Sequence, residues 1–156
     1  MIAFCDQNDD LHRDVKQTLN SWKRGKQNYH VPFPAIGEAY LVANNKNRVN
    51  EVFDNFHNYV KRGILIPEGI NNSNCYSYAH RLLKSTISNG THKNGWGEQY
   101  LQSTDALILA CALSNNQCTH FLTSDTQINT LDSLDKCARD IRDEMNCDHL
   151  KIGEIW

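Results

Sequence analysis

The chain has 156 residues, 40% of them hydrophobic and 22% charged, with a net charge of −2. That length and balance suit a single soluble globular domain with a real core. They exclude a protein that holds nucleic acid by bulk positive charge, so any such contact must be local or metal-mediated.

Met1 to Cys5 is apolar, and Asp6 to Asp10 reads as a turn or cap. Leu11 to Arg24 predicts an amphipathic helix, because Leu11, Val15, Leu19 and Trp22 recur at helical spacing. Gly25 stops it. Tyr29 to Phe33 is a short extended segment. Pro34 fits the first turn of a helix that runs to Asn44 and carries Glu38, and the apolar neighbours on both sides of Glu38 predict that this helix is largely buried. Asn44 to Asn47 is a turn. Arg48 to Lys61 is again helical, with Val49, Val52, Phe53, Phe56 and Val60 on one face. Gly63 ends it, and Ile64 to Pro67 reads as a strand. Asn72 to Asn74 cap a helix that reaches Ser88. Gly90 to Gly97 is polar and glycine-rich and predicts a mobile loop, a common place for binding residues.

Thr104 to Asp125 organises the rest. Ser103 or Thr104 can cap a helix in which Asp105 sits in the first turn, where a carboxylate suits the dipole. Ala106 to Leu113 is apolar almost all round, which marks a buried helix. Asn115 and Asn116 end it with turn chemistry. Cys118 to Thr123 predicts a buried strand, and Asp125 lies just past its end. In an open α/β sheet that edge is where ligands bind. An acid at a helix start and one at a strand end can therefore converge, and a divalent cation would relieve their repulsion. Short helices near Gln127 to Leu134 and Leu134 to Met145 follow. Leu150 to Ile155 closes the chain as an edge strand. Strands alternating with helices predict an α/β fold with a parallel sheet.

Six cysteines occur without Cys-x-x-Cys or zinc-like spacing. Cys111 and Cys118 fall inside apolar elements, where a free thiol behaves as a small hydrophobe. The pattern predicts reduced thiols in a cytoplasmic protein. No run of about 18 apolar residues occurs, so no membrane span is expected.

Thr104-Asp105-Ala-Leu-Ile followed by Phe121-Leu-Thr-Ser-Asp125 resembles the C-terminal half of a PIN domain. That family comprises small metal-dependent nucleases, many of them toxin ribonucleases of toxin–antitoxin pairs. Pro34-Ala-Ile-Gly-Glu38-Ala-Tyr-Leu-Val resembles its second motif, where a Glu opens a helix. For the family's first acid two placements stand open. Either Ile2 to Cys5 is the first strand and Asp6-Gln7-Asn8 the motif, or Ile2 to His12 matches the segment after the motif. In the second case the first strand and its Asp lie upstream of Met1.

The resemblance implies a three-layer α/β/α, Rossmann-like fold with a central parallel sheet. It implies that Glu38, Asp105 and Asp125, with Asp6 in the first placement, hold Mg²⁺ or Mn²⁺ and hydrolyse RNA to a 5′-phosphate and a 3′-hydroxyl. It also implies a homodimer and an antitoxin protein as partners. Thr123 and Ser124 could orient a carboxylate or substrate, or simply bond the turn backbone. Lys93, with His92 and Trp96, could meet phosphate and stack on a base, and Arg62, Arg81 and Lys84 could add backbone contacts. The ordinary alternative for each is a solvated surface group. Glu38 has its own, a salt-bridged acid on a solvated stripe.

Two other classes compete. A chain that kept the fold but lost the first Asp would be a catalytically weak RNA- or protein-binding module. A Rossmann-like nucleotide-binding domain is opposed by the lack of Gly-x-Gly-x-x-Gly after any strand.

Overall fold

A computed structural model describes residues 5, 7–22, 28–70, 73–88, 93–94, 97–98, 101–123 and 132–154. In chain order the elements are α1 (His12–Trp22), β1 (Tyr29–Pro32), α2 (Phe33–Asn45), α3 (Val49–Lys61), β2 (Leu65–Glu68) and α4 (Asn74–Ser88). They continue with β3 (Lys93–Asn94), β4 (Gly97–Glu98), α5 (Ser103–Ser114), β5 (His120–Thr123), α6 (Asp132–Glu144) and β6 (Lys151–Glu154). The chain forms two compact units. One is Met1–Gly69 with Ile155–Trp156, the other Ile70–Glu154.

In the first unit Asp9 leads into α1. Its side chain accepts from the Leu11 amide at 3.1 Å, and its carbonyl from the His12 amide at 2.9 Å. β1 and β2 pair in parallel, with Tyr29 beside Leu65 and Pro32 beside Glu68. Pro32 has extended φ/ψ and hands the chain directly to α2. α2 buries only Ala39 and Ala43, while α3 buries Val52 and Phe56. The Tyr40 ring sits 4.2 Å from that of Phe53, centroid to centroid.

The same backbone motif closes α2, α3 and α6. After α3, Gly63 takes φ 65°, its amide donates to the Val60 carbonyl, and the Ile64 amide donates to that of Tyr59. After α2, Asn47 (φ 54°) donates to Asn44 and Arg48 to Ala43; after α6, Asn146 (φ 53°) donates to Asp143 and Cys147 to Arg142. This is the Schellman pattern, which satisfies the last carbonyls of a helix and needs a residue that tolerates the left-handed region, Gly or Asn.

The second unit is a helical packing. Cys75, at the start of α4, places Sγ 2.9 Å from Oγ of Ser114 at the end of α5, so these two helices run antiparallel. α6 packs against α4, where Arg81 forms two hydrogen bonds with Glu144 at 2.6 and 2.8 Å. The shared core comprises Tyr78, Ala79 and Leu82 of α4, five residues of α5 from Ala106 to Leu113, and Leu134, Ala138 and Ile141 of α6. Leu82, Leu109, Leu113, Leu134 and Ile141 are fully buried. Truncating any of them to Ala would cost roughly 2–5 kcal/mol. β5 and β6 pair in parallel, with Phe121 and Ile152 packed on this core.

The three-layer α/β/α expectation is overturned. The described residues are mostly helical, and their strands form separate two-stranded sheets: parallel β1–β2, parallel β5–β6 and the minimal antiparallel β3–β4. Among the described residues no central sheet joins them. The physical reason lies in strand size. Each parallel strand is four residues long, and β1 and β2 bury one residue apiece, Val31 and Leu65. β5 buries none fully. The apolar surface that a central sheet would supply comes instead from helix faces. Alternation of strand and helix is real, but it does not by itself specify one sheet.

Two local expectations also change. Gln102, not Ser103 or Thr104, precedes α5 as its cap, with extended φ/ψ and no side-chain capping bond. The α2 segment was expected to be a largely buried helix, yet Phe33, Tyr40, Leu41 and Val42 are exposed. The expected helix from Gln127 to Leu134 lies largely outside the described residues. No helix among the described residues is long and apolar enough to cross a membrane.

Candidate metal and substrate site

Asp105 stands in the first turn of α5, half-buried, as its position in the sequence predicts. The amide of the next residue, Ala106, donates to the Gln102 carbonyl at 2.9 Å, which closes the first helical turn around Asp105. The unpaired amides of a helix start favour a negative charge at that position. Glu38 is also half-buried, on α2 in the first unit. Both acids have interacting neighbours of their own.

Thr123 is the last residue of β5 and half-buried. Lys93 lies in β3, whose pairing with β4 puts it beside Glu98. Asp6, Ser124 and Asp125 lie outside the described residues. Glu38 and Asp105 therefore belong to different units, while Asp105 and Thr123 share one. Among the described residues no group of three or more His, Cys, Asp and Glu is arranged to hold a metal ion.

The link between α5 and β5 is built by a residue that sequence reasoning passed over. Arg142 of α6 is 1% exposed. Its Nη1 donates to the carbonyls of Leu113 at 3.1 Å and Asn115 at 2.9 Å, at the end of α5. Nη2 donates to Cys118 ahead of β5 at 2.9 Å, and Nε to Asp148 ahead of β6 at 2.7 Å. A planar guanidinium with five fixed donors suits this fan of acceptors, and its charge suits the negative end of α5. The element carrying Asp105 and the strand ending at Thr123 are thus pinned at one junction. The signal was present: Leu134, Ala138, Ile141 and Arg142 fall at i, i+4, i+7 and i+8, so Arg142 interrupts an apolar stripe.

Two further features were missed. In the β5–β6 register Glu154 stands beside Thr123. This adds an acid at the end from which Ser124 and Asp125 follow. In the first unit His30 and Glu68, 38 residues apart, meet through Nδ1 and Oε1 at 2.5 Å, both half-buried. No sequence pattern links them; only the parallel pairing of β1 with β2 does. Arg81, one of the candidate phosphate contacts, is engaged with Glu144.

The carboxylates and hydroxyls that the sequence singles out are oxygen groups, the donor type that a hard cation such as Mg²⁺ or Mn²⁺ takes and a thiolate-seeking metal does not. No protein-family model matches the chain, and neither do the curated proteins or the solved structures compared with it.

Proposed function

We propose that this chain is a Mg²⁺- or Mn²⁺-dependent endoribonuclease that hydrolyses phosphodiester bonds in single-stranded or structured RNA. The observation that carries the reading is Asp105 in the first turn of a buried helix that leads, through one pinned turn, to the strand ending at Thr123, which Ser124 and Asp125 follow in the sequence. Asp105 and Asp125 hold the cation; Glu38, and Asp6 in the first of the two placements, are the further acids that the resemblance implies. When bound, the cation supplies charge neutralisation at the scissile phosphate and an activated water. Thr123 and Ser124 orient the carboxylates or the phosphate, and Lys93 meets the RNA backbone. The resemblance in these motifs further suggests a toxin blocked by an antitoxin protein. Six free cysteines support a reducing, cytoplasmic setting.

A mixed single-stranded RNA pool tests this, incubated with Mn²⁺, Mg²⁺ or EDTA beside Asp105→Asn. Metal-dependent cutting that the variant loses supports the nuclease. No cutting by folded protein at millimolar Mn²⁺ rejects it.

A second reading, a non-catalytic protein-binding module, is favoured by one observation. α2 exposes Phe33, Tyr40, Leu41 and Val42, more apolar surface than a solvent-facing helix needs. This reading predicts partner or RNA binding without turnover at any metal concentration.

A further inference from the structure

The buried guanidinium of Arg142 donates to backbone carbonyls of three segments: Leu113 and Asn115 at the end of α5, Cys118 ahead of β5, and Asp148 ahead of β6. Each segment leads to a group at the proposed site. α5 begins with the turn that holds Asp105, β5 ends at Thr123, and β6 sets Glu154 beside Thr123 in register.

We propose that Arg142 is a positioning residue for the cation site, acting through the backbone to set the strand end at Thr123 against Asp105. The inference rests on the metal-dependent reading above and deepens it.

The two elements differ in how far packing alone fixes them. α5 buries Ala106, Leu109, Leu113 and others, in a core shared with α4 and α6. β5 and β6 have four residues each, β5 buries none of its residues fully, and only Phe121 and Ile152 of the pair pack on that core. A two-stranded sheet is marginal by itself. Its placement against α5 therefore depends on the guanidinium at its base. From Cys118 to Thr123 the chain covers about 16 Å at about 3.3 Å per residue, so a swing of about 5° at the base carries Thr123 through about 1.4 Å. Mg²⁺ demands near-ideal geometry, and ligand distances in a working metal site hold to about 0.2 Å. Loosening the base thus weakens cation binding even where the fold persists. Arg142→Lys does this while keeping the charge, because an ammonium donates from one nitrogen and cannot reproduce the planar fork.

Titration of the full chain with Mn²⁺, with the free ion read by electron paramagnetic resonance, tests the role without an activity assay. The parent binds Mn²⁺, and Arg142→Lys raises the dissociation constant at least about tenfold at a temperature where circular dichroism shows both folded. Ile141→Val trims a fully buried neighbour on α6, leaves the guanidinium in place, and keeps the parent's constant. Where Arg142→Lys does not fold, Asn115→Gly replaces it. That change deletes the 2.9 Å bond from the Gln117 amide to Oδ1 of Asn115 in the same turn, and it too weakens Mn²⁺ binding. A parent that binds Mn²⁺ beside a folded junction variant that binds it equally well overturns the positioning role and leaves the cation site standing. Equal weakening by Arg142→Lys and Ile141→Val overturns it as well, since lost stability then accounts for both. A parent that binds no Mn²⁺ removes the cation site itself, and this inference with it.

Discussion

Nη2 of Arg142 donates to the carbonyl oxygen of Cys118 at 2.9 Å, across the turn that joins α5 to β5. Three more carbonyls share the same guanidinium, and it is almost fully buried. Removing it leaves several carbonyls short of partners in the interior and exposes the negative end of α5. Arg142→Met should therefore destabilise the chain by roughly 3 kcal/mol or more. Arg142→Lys keeps the charge but presents its donors from one nitrogen, so it should recover less than half of that loss. Urea denaturation measures both. A loss below about 1 kcal/mol for Arg142→Met would mean that water replaces the guanidinium at little cost.

Arg142 also marks where sequence reading succeeds and stops. The helices were legible because their apolar residues repeat at helical spacing: Val52 and Phe56 on α3, Ala106 to Leu113 on α5. Asp105 in a first turn followed from that periodicity alone. Pairing was not legible. Which four-residue strand lies beside which depends on contacts distant in sequence, as the register of Tyr29 with Leu65 illustrates. A run such as Pro34 to Val42 is apolar whether a neighbour covers it or not, so its exposure could not be read either. Arg142 was a charge within an apolar stripe, and its partners were backbone carbonyls that carry no sequence signature.

The ion pair between Arg81 and Glu144 predicts an acid-limb effect. The hydrogen bonds from Arg81 hold the Glu144 carboxyl below its ordinary value, with the Arg81 charge adding to the shift. A depressed carboxyl contributes stability that is present above its unfolded-state value and lost as pH falls through the folded one. Arg81 remains charged throughout. Thermal melts from neutral pH down through the carboxylate range should show Glu144→Gln less acid-sensitive than the parent. Both groups are exposed, so the difference should be small and should shrink with added salt. Equal acid limbs in parent and variant would dismiss the pair as a stabilising contact.

Cys5 gives a reactivity prediction. Burial pushes its thiol up to about 11, against a smaller opposing pull from the charged N-terminus. Near pH 8 only about one molecule in a thousand then carries the thiolate at this site. Cys75 and Cys111 are buried as well, whereas Cys118 and Cys147 are half-buried. Alkylation followed by mass spectrometry should therefore label Cys118 and Cys147 first. Cys5 should react only on unfolding. The same raised value makes stability fall as pH rises from about 9 toward about 11, because the unfolded chain releases that proton first. Prompt labelling of Cys5 in the folded chain would contradict its burial.

Asp105 allows its two roles to be separated without any activity assay. As a first-turn acid it favours the start of α5 by roughly 0.3–1 kcal/mol, and Asp105→Asn would lose that amount whether metal is present or not. As part of a cation site it adds a second term. A metal that binds the folded chain stabilises it by mass action, about 2.7 kcal/mol at one hundred times the dissociation constant. The melting temperature of the parent should then rise with millimolar Mn²⁺, while that of Asp105→Asn stays flat. A parent that gains nothing from Mn²⁺, with a variant uniformly lower by the dipole term alone, would reduce Asp105 to a helix-start acid. The nuclease reading would then have lost its central ligand.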